Sequence, residues 1–202
     1  MAMLKNSKEE FEYIYREDIK RPGAEQLLKW LESSNFFEAP ASARHHLARP
    51  GGLAEHSINV RRRLVEIAKN ELWKKQEDVT PEIIETATIL GLLHDVCKAG
   101  VYHQTDPFKA AAEGKLATMA PYEFRDPFPL GHGEKSLFLI TRFMQLTQNE
   151  ALAIRWHMGA YDDAVKGGSR SMSEAMKLTP WVWWLHEADM CATWMDEGGA
   201  AE

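Results

Sequence analysis

The chain has 202 residues, 45% of them hydrophobic and 27% charged, with 13 glycines; this is a globular profile and excludes collagen-like, low-complexity and disordered classes. Lys+Arg 24 against Asp+Glu 30 leaves a formal charge of -6, which argues against gripping extended nucleic acid through the overall field, while small anionic substrates stay admissible. One core at this length buries roughly 70% of the surface the unfolded chain exposes, so a metal is not needed to hold the fold and would serve chemistry instead.

Met1 to Glu10 is polar and no apolar run approaches the ~20 residues a membrane span needs, so neither a signal peptide nor an anchor is expected. Cys97 and Cys191 are too few and too isolated for a disulfide framework or a Cys-rich zinc site and suit a reducing compartment. The expected location is cytoplasmic.

The first helix is predicted over 7–20, opened by the capping-box pattern Ser7-Lys8-Glu9-Glu10, and the second over 24–33. A third over 52–75 carries His56 in the stripe Leu53, Val60, Leu64 and Ile67, so the imidazole points inward; a core histidine bonded to a backbone carbonyl is the competing reading. Thr80-Pro81 starts a fourth helix over 81–98. Its run Ile89-Leu90-Gly91-Leu92-Leu93 is apolar on all sides, so His94-Asp95 lies in the protein interior, where a carboxylate is costly unless paired or metal-bound. Gly91 leaves room for another element to approach closely.

Ala99 to Gly131 reads as a long irregular insertion with a short hairpin around Leu116 to Tyr122, and insertions of this length usually serve function. Tyr102, His103 and Lys109 are its candidate substrate contacts. Helices follow over 133–146, over 149–158 behind the capping box Thr147-Gln148-Asn149-Glu150, and over 174–196 behind Ser171-Met172-Ser173-Glu174. The last carries Asp189 among Trp, Leu and Met residues, with His186 on the same face, and an Asp–His hydrogen bond is the bland reading there. No segment alternates as a half-buried strand would; the fold class is all-α, about seven helices in one domain over 1–202, with a core about 44–196 and helices 7–33 packed on it.

The order of His56, the adjacent His94-Asp95 and the distant Asp189, all on core helices, resembles the HD-domain metal-dependent phosphohydrolase superfamily over roughly Arg44 to Met195. The resemblance implies an HD-type helical bundle with His56, His94, Asp95 and Asp189 as metal ligands. The extended form of the pattern adds two histidines in the interval, matched by His132 and His157, which would complete a second metal site; capping or surface histidines are the alternative. Lys98 matches a basic residue common after the pair, and its alternative is a solvated helix-end lysine.

Imidazole and carboxylate donors without thiolate suit one or two divalent transition ions among Mn, Fe, Co, Ni and Zn. Hydrolysis of a phosphomonoester or phosphodiester of a nucleotide or other small phosphorylated molecule is the expected reaction, with Asp95 and Lys98 catalytic and Lys98, Lys135 and Arg44 holding phosphate oxygens. His45-His46 are further phosphate candidates, equally readable as a polar loop, and Arg61-Arg62-Arg63 reads as a solvated helix surface. Trp181, Trp183 and Trp184 read as core or as an oligomer contact, so homo-oligomer formation stays open. Two rivals share the ligand set: a two-iron oxygenase, and a non-catalytic metal-loaded domain that binds a nucleotide.

Overall fold

Proline and short polar side chains set most of the helix starts in the computed structural model, which describes residues 6–198. Asn6 caps α1 (Ser7–Asp18), accepting from the Glu9 amide at 3.0 Å, one residue ahead of the expected Ser7. Then come α2 (Ala24–Ser33), α3 (Gly52–Lys74) and α4 (Pro81–Leu93), the last capped by Thr80. Two strands, β1 (Tyr102–Gln104) and β2 (Tyr122–Phe124), bracket α5 (Pro107–Ala112). They are followed by α6 (His132–Thr141), α7 (Gln148–Trp156), α8 (Asp163–Lys166), α9 (Ser171–Leu178) and α10 (Trp181–Cys191). The architecture is all-α, with ten helices rather than about seven among the described residues.

The bundle centre is α3 laid against α4, flanked by α10, α7 and α6. Gly91 makes the first contact possible: a Cβ there would lie 2.3 Å from the Arg61 Cα, so any side chain would force α3 and α4 apart. The neighbouring Leu90, Leu92 and Leu93 are fully buried. The N-terminal helices dock on this core through Asp18, which accepts from both Arg61 and Thr88 at 2.7 Å. Arg61 is therefore a tie between helices, not part of a solvated arginine surface.

Four expectations fail for identifiable reasons. The fourth helix stops at Leu93 instead of 98, because Asp95 leaves helical geometry (φ -108, ψ 17) and a 3-10 turn over Val96–Lys98 follows. The last helix is two, since Thr179 before Pro180 is extended (φ -152, ψ 137), as a residue ahead of proline prefers. A π-helical turn over Ala192–Asp196 then extends α10. The hairpin around 116–122 is absent; β2 instead pairs antiparallel with β1, Tyr102 opposite Phe124. Between them α5 begins at Asp106-Pro107, the same signal as Thr80-Pro81, with the Asp106 carboxylate accepting from Phe108. Ser171 makes no capping box, whereas Thr147 and Glu150 form the expected one. No helix among the described residues is long and apolar enough to cross a membrane.

Candidate metal centre

Five elements deliver polar side chains to one buried point. The stripe Leu53, Val60 and Leu64 turns His56 of α3 inward; His94 follows the last residue of α4; His132 opens α6; His157 caps the C-terminus of α7; and Asp189 lies near the end of α10. Asp95 sits in the middle because the chain leaves the α-helix there. Its Oδ2 is 3.5 Å from His94 Nε2, 3.7 Å from His56 Nε2 and 2.6 Å from Lys98 Nζ. Its Oδ1 is 2.6 Å from His132 Nε2 and 3.6 Å from His157 Nε2. Asp189 Oδ1 lies 3.3 Å from His56 Nε2. The donor atoms of His56, His94 and Asp95 fall within 4.8 Å of one another, as do those of His94, His157 and Asp189.

The outer nitrogens fix which lone pairs face the centre. His94 Nδ1 lies 3.0 Å from the Gly91 carbonyl and His157 Nδ1 2.7 Å from the Ile154 carbonyl. A ring nitrogen facing a carbonyl carries the proton, so each Nδ1–H donates and each Nε2 is left as an acceptor. His56 Nδ1 faces both oxygens of Glu197 at 3.1 Å, and Asn59 donates to that carboxylate at 2.9 Å. The Nε2 atoms of His56, His94 and His157 are buried with no aligned hydrogen-bond partner among the described residues. Each unsatisfied buried group costs about 1–3 kcal/mol. Three of them converging on two buried carboxylates fit a divalent cation, and the Nδ1 bonds orient the rings for it. These residues are positioned to bind a metal ion.

The electrostatics are those of a cation site. Burial would raise the Asp95 carboxyl, but Lys98, His94 and His132 hold it well below the usual range. Asp189 is likewise lowered, burial being outweighed by His56. Burial opposes a charge on His56, yet Asp189 and Glu197 lift it to about 9; the carboxylates that would neutralise a metal draw a proton in the same way. Burial also opposes the Lys98 ammonium, and Asp95 more than offsets it, so Lys98 is a permanent cation. Cys97 is pushed up to about 12 by burial and then by Asp95, which keeps it a neutral thiol beside the cluster.

A cavity of about 410 Å³ opens onto Asp95, Asp189, Lys98 and His132, walled by Tyr102, Tyr161 and Trp194. His45 and His46 line it too, and His46 Nε2 is buried without a partner, its ring 5.0 Å from His56. Burial, then the charges of His56 and Lys98, lower His46 to about 4. Lys135 and Arg44 are not brought to the cluster. Lys135 Nζ lies 2.5 Å from Asp126, and the Arg44 guanidinium donates to the Thr118 carbonyl. His186 Nδ1–H donates to the His157 carbonyl, 2.7 Å away, and so braces the chain at His157 instead of pairing with Asp189. Of the three tryptophans, Trp184 is buried against Trp181, and Trp183 is exposed.

Comparison with protein-family models, curated proteins and solved structures gave no match. Glu197 and Asn59 are the functional candidates that sequence reasoning missed. Glu197 follows the π-helical turn, its amide bonded to the Ala192 carbonyl, five residues back, which takes it off the 3.6-residue face that periodicity would read.

Proposed function

We propose that the protein is an HD-type metal-dependent phosphohydrolase acting on a small phosphorylated molecule, a nucleotide among the candidates. The observation that carries this reading is the trio of unsatisfied buried imidazole nitrogens facing Asp95 and Asp189, with a cationic lysine lining the cavity that opens onto them. The chain order of His56, His94-Asp95 and Asp189 supports it through the resemblance to the superfamily.

His56, His94, Asp95 and Asp189 would hold one ion, and His132 and His157, both beside Asp95 Oδ1, would help to hold a second. When bound, a divalent transition ion supplies Lewis-acid polarisation of a phosphoryl oxygen and acidification of a water. The remaining work belongs to the chain. Lys98, kept charged by Asp95, pairs with a non-bridging phosphate oxygen. The Gly91 and Ile154 carbonyls hold two rings in the tautomer that keeps Nε2 free. Tyr102, Tyr161 and Trp194 wall the substrate off from part of the solvent.

The test is a screen of the Mn- or Fe-loaded protein against phosphomonoesters, cyclic dinucleotides and short oligonucleotides. Metal-dependent release of phosphate or alcohol, absent in Asp95→Asn, is the expected result. The shared position of Asp95 favours one second reading, a two-iron oxygenase; oxygen consumption by iron-loaded protein without ester hydrolysis would select it. Tight nucleotide binding with no turnover would instead mark a non-catalytic domain.

A further inference from the structure

The insertion returns to the site within a few residues of leaving it. After the 3-10 turn that ends at Lys98, Gly100 turns the chain in the left-handed region (φ 80), its amide donating to Asn35 Oδ1 at 2.6 Å. Tyr102 then opens β1, four residues beyond the lysine. Its ring meets that of Phe124, its partner across the ribbon, edge-on at 5.7 Å, and the Arg125 amide donates to the Val101 carbonyl at 2.8 Å. Tyr102 so lines the cavity of about 410 Å³ together with Asp95, Lys98 and His132.

The hydroxyl has no task within the fold. Buried Tyr15 donates its O–H to the Ala24 carbonyl at 2.8 Å, as a buried phenol usually does; partly buried Tyr102 makes no hydrogen bond through its hydroxyl to any described residue. The charges of the site reach it all the same. Burial raises the phenol above its ordinary 10, Lys98 opposes that and Asp95 adds to it, while Tyr102 in turn helps to keep the Lys98 ammonium charged. At neutral pH the group is a protonated donor near a fixed cation. Of the other hydroxyls on the cavity wall, Ser42 is spent on its own loop, donating to the His46 carbonyl at 2.9 Å and accepting from the His45 amide at 2.8 Å. Tyr161 is 59% exposed.

We infer that the Tyr102 hydroxyl donates a hydrogen bond to the ester oxygen that leaves, which makes Tyr102 a catalytic residue beside Lys98. The inference rests on the hydrolase reading above. In phosphoryl transfer the attacking and leaving oxygens lie roughly in line. A water activated at the cluster therefore drives the leaving oxygen away from Asp95 and into the cavity that Tyr102 lines. Charge develops on that oxygen as its bond to phosphorus breaks, and a preorganised donor counts most there. Lys98 stays on a non-bridging oxygen. The water gives its oxygen to phosphorus and its proton to the departing alkoxide, so Tyr102 ends the reaction unchanged.

The experiment compares Tyr102→Phe with wild type, both Mn-loaded, on phenyl and p-nitrophenyl esters of phosphate, mono- and diesters alike, and measures phenyl phosphate binding by calorimetry. The variant keeps the ring against Phe124, so metal content and Tm should not move. Its kcat on the phenyl esters should fall about 100-fold. The loss on the p-nitrophenyl esters should be clearly smaller, because the nitro group already spreads the leaving charge. Equal losses on the two kinds of ester, or none, overturn the assignment of Tyr102 and leave the hydrolase reading standing. So does a leaving-group difference that appears in Thr193→Val, another buried hydroxyl on that wall, and not in Tyr102→Phe. If wild type hydrolyses none of the esters, the hydrolase reading falls. Phenyl phosphate binding that Tyr102→Phe weakens roughly tenfold then upholds the contact of the hydroxyl with the ester, and binding that is unchanged, or absent from both proteins, overturns that contact too.

Discussion

Two buried polar clusters touch α4, and they are finished to different degrees. Around Arg21 every charge is answered: Glu150, fully buried, accepts from both Arg21 terminal nitrogens at 2.8 and 2.9 Å, from Thr86 at 3.1 Å and from the Thr147 amide at 2.7 Å. Glu85 takes a further Arg21 bond and the Lys20 amide. Around Asp95 the carboxylates are answered, but three imidazole nitrogens are not. Since buried polar groups are nearly always satisfied, the first cluster is a closed structural joint and the second is a set of donors positioned to bind an ion. Burial and charge alone would not have told them apart; the accounting of lone pairs does.

The largest effect expected is loss of metal from the open cluster. Asp95→Ala and His94→Ala should each abolish stoichiometric binding of Mn or Fe, measured by elemental analysis after desalting, while far-UV circular dichroism stays close to wild type. Asp95 is reached by every histidine of the group except His46, so no neighbouring side chain substitutes for it. Unchanged metal content in both variants would erase the distinction drawn between the two clusters.

The closed cluster should respond in the opposite way. Arg21→Ala leaves the Glu150 carboxylate buried without its cation, which costs about 3–5 kcal/mol. At about 2–4 °C per kcal/mol for a chain of this size, the fall in Tm is large and easily measured by thermal melting. Metal stoichiometry of the folded variant should be unchanged. A variant that kept its Tm and lost its metal would show that the joint belongs to the site.

How much of this was legible depends on how local the signal is. His94-Asp95 inside an apolar run, and His56 in its stripe, are read within one helix, and both arrive where the pattern puts them. The break at Thr179-Pro180 was also local, but the apolar run over Trp181 to Met190 masked it. The β-ribbon was not legible, because it joins residues on either side of a helix whose own start signal went unread. The partners of Lys135 and Arg44 were equally out of reach: no spacing rule says that a lysine meets Asp126 or that an arginine meets the Thr118 carbonyl. Glu197 needed the π-helical turn.

Glu197 sharpens the comparison from inside the open cluster, its carboxylate facing the outer nitrogen of His56. Glu197→Ala should weaken metal binding by about 10–100-fold, read by competition with a chelator, because His56 loses the group that orients its ring. Glu197→Gln keeps an acceptor for the Nδ1–H and should recover part of the loss. A Tm reduced equally in both variants with metal affinity intact would make Glu197 a packing residue only.

The smallest effect concerns pH at the closed cluster. Burial would raise the Glu85 carboxyl, but Arg21 and the Lys20 amide outweigh it and hold it below its ordinary 4.5. A carboxyl lowered in the folded state contributes stability that is fully present above 4.5 and is lost as pH falls through the folded value. Glu85→Gln removes this contribution, so wild type should exceed the variant in Tm at pH 7, and the gap should shrink steadily as pH is taken below 4.5. Because Glu85 retains some solvent contact, the gap should be far smaller than that produced by Arg21→Ala, and added salt should narrow it. No gap at pH 7 would mean that Glu85 acts through its hydrogen bond to the Lys20 amide, which the Gln oxygen can also accept, and not through its charge.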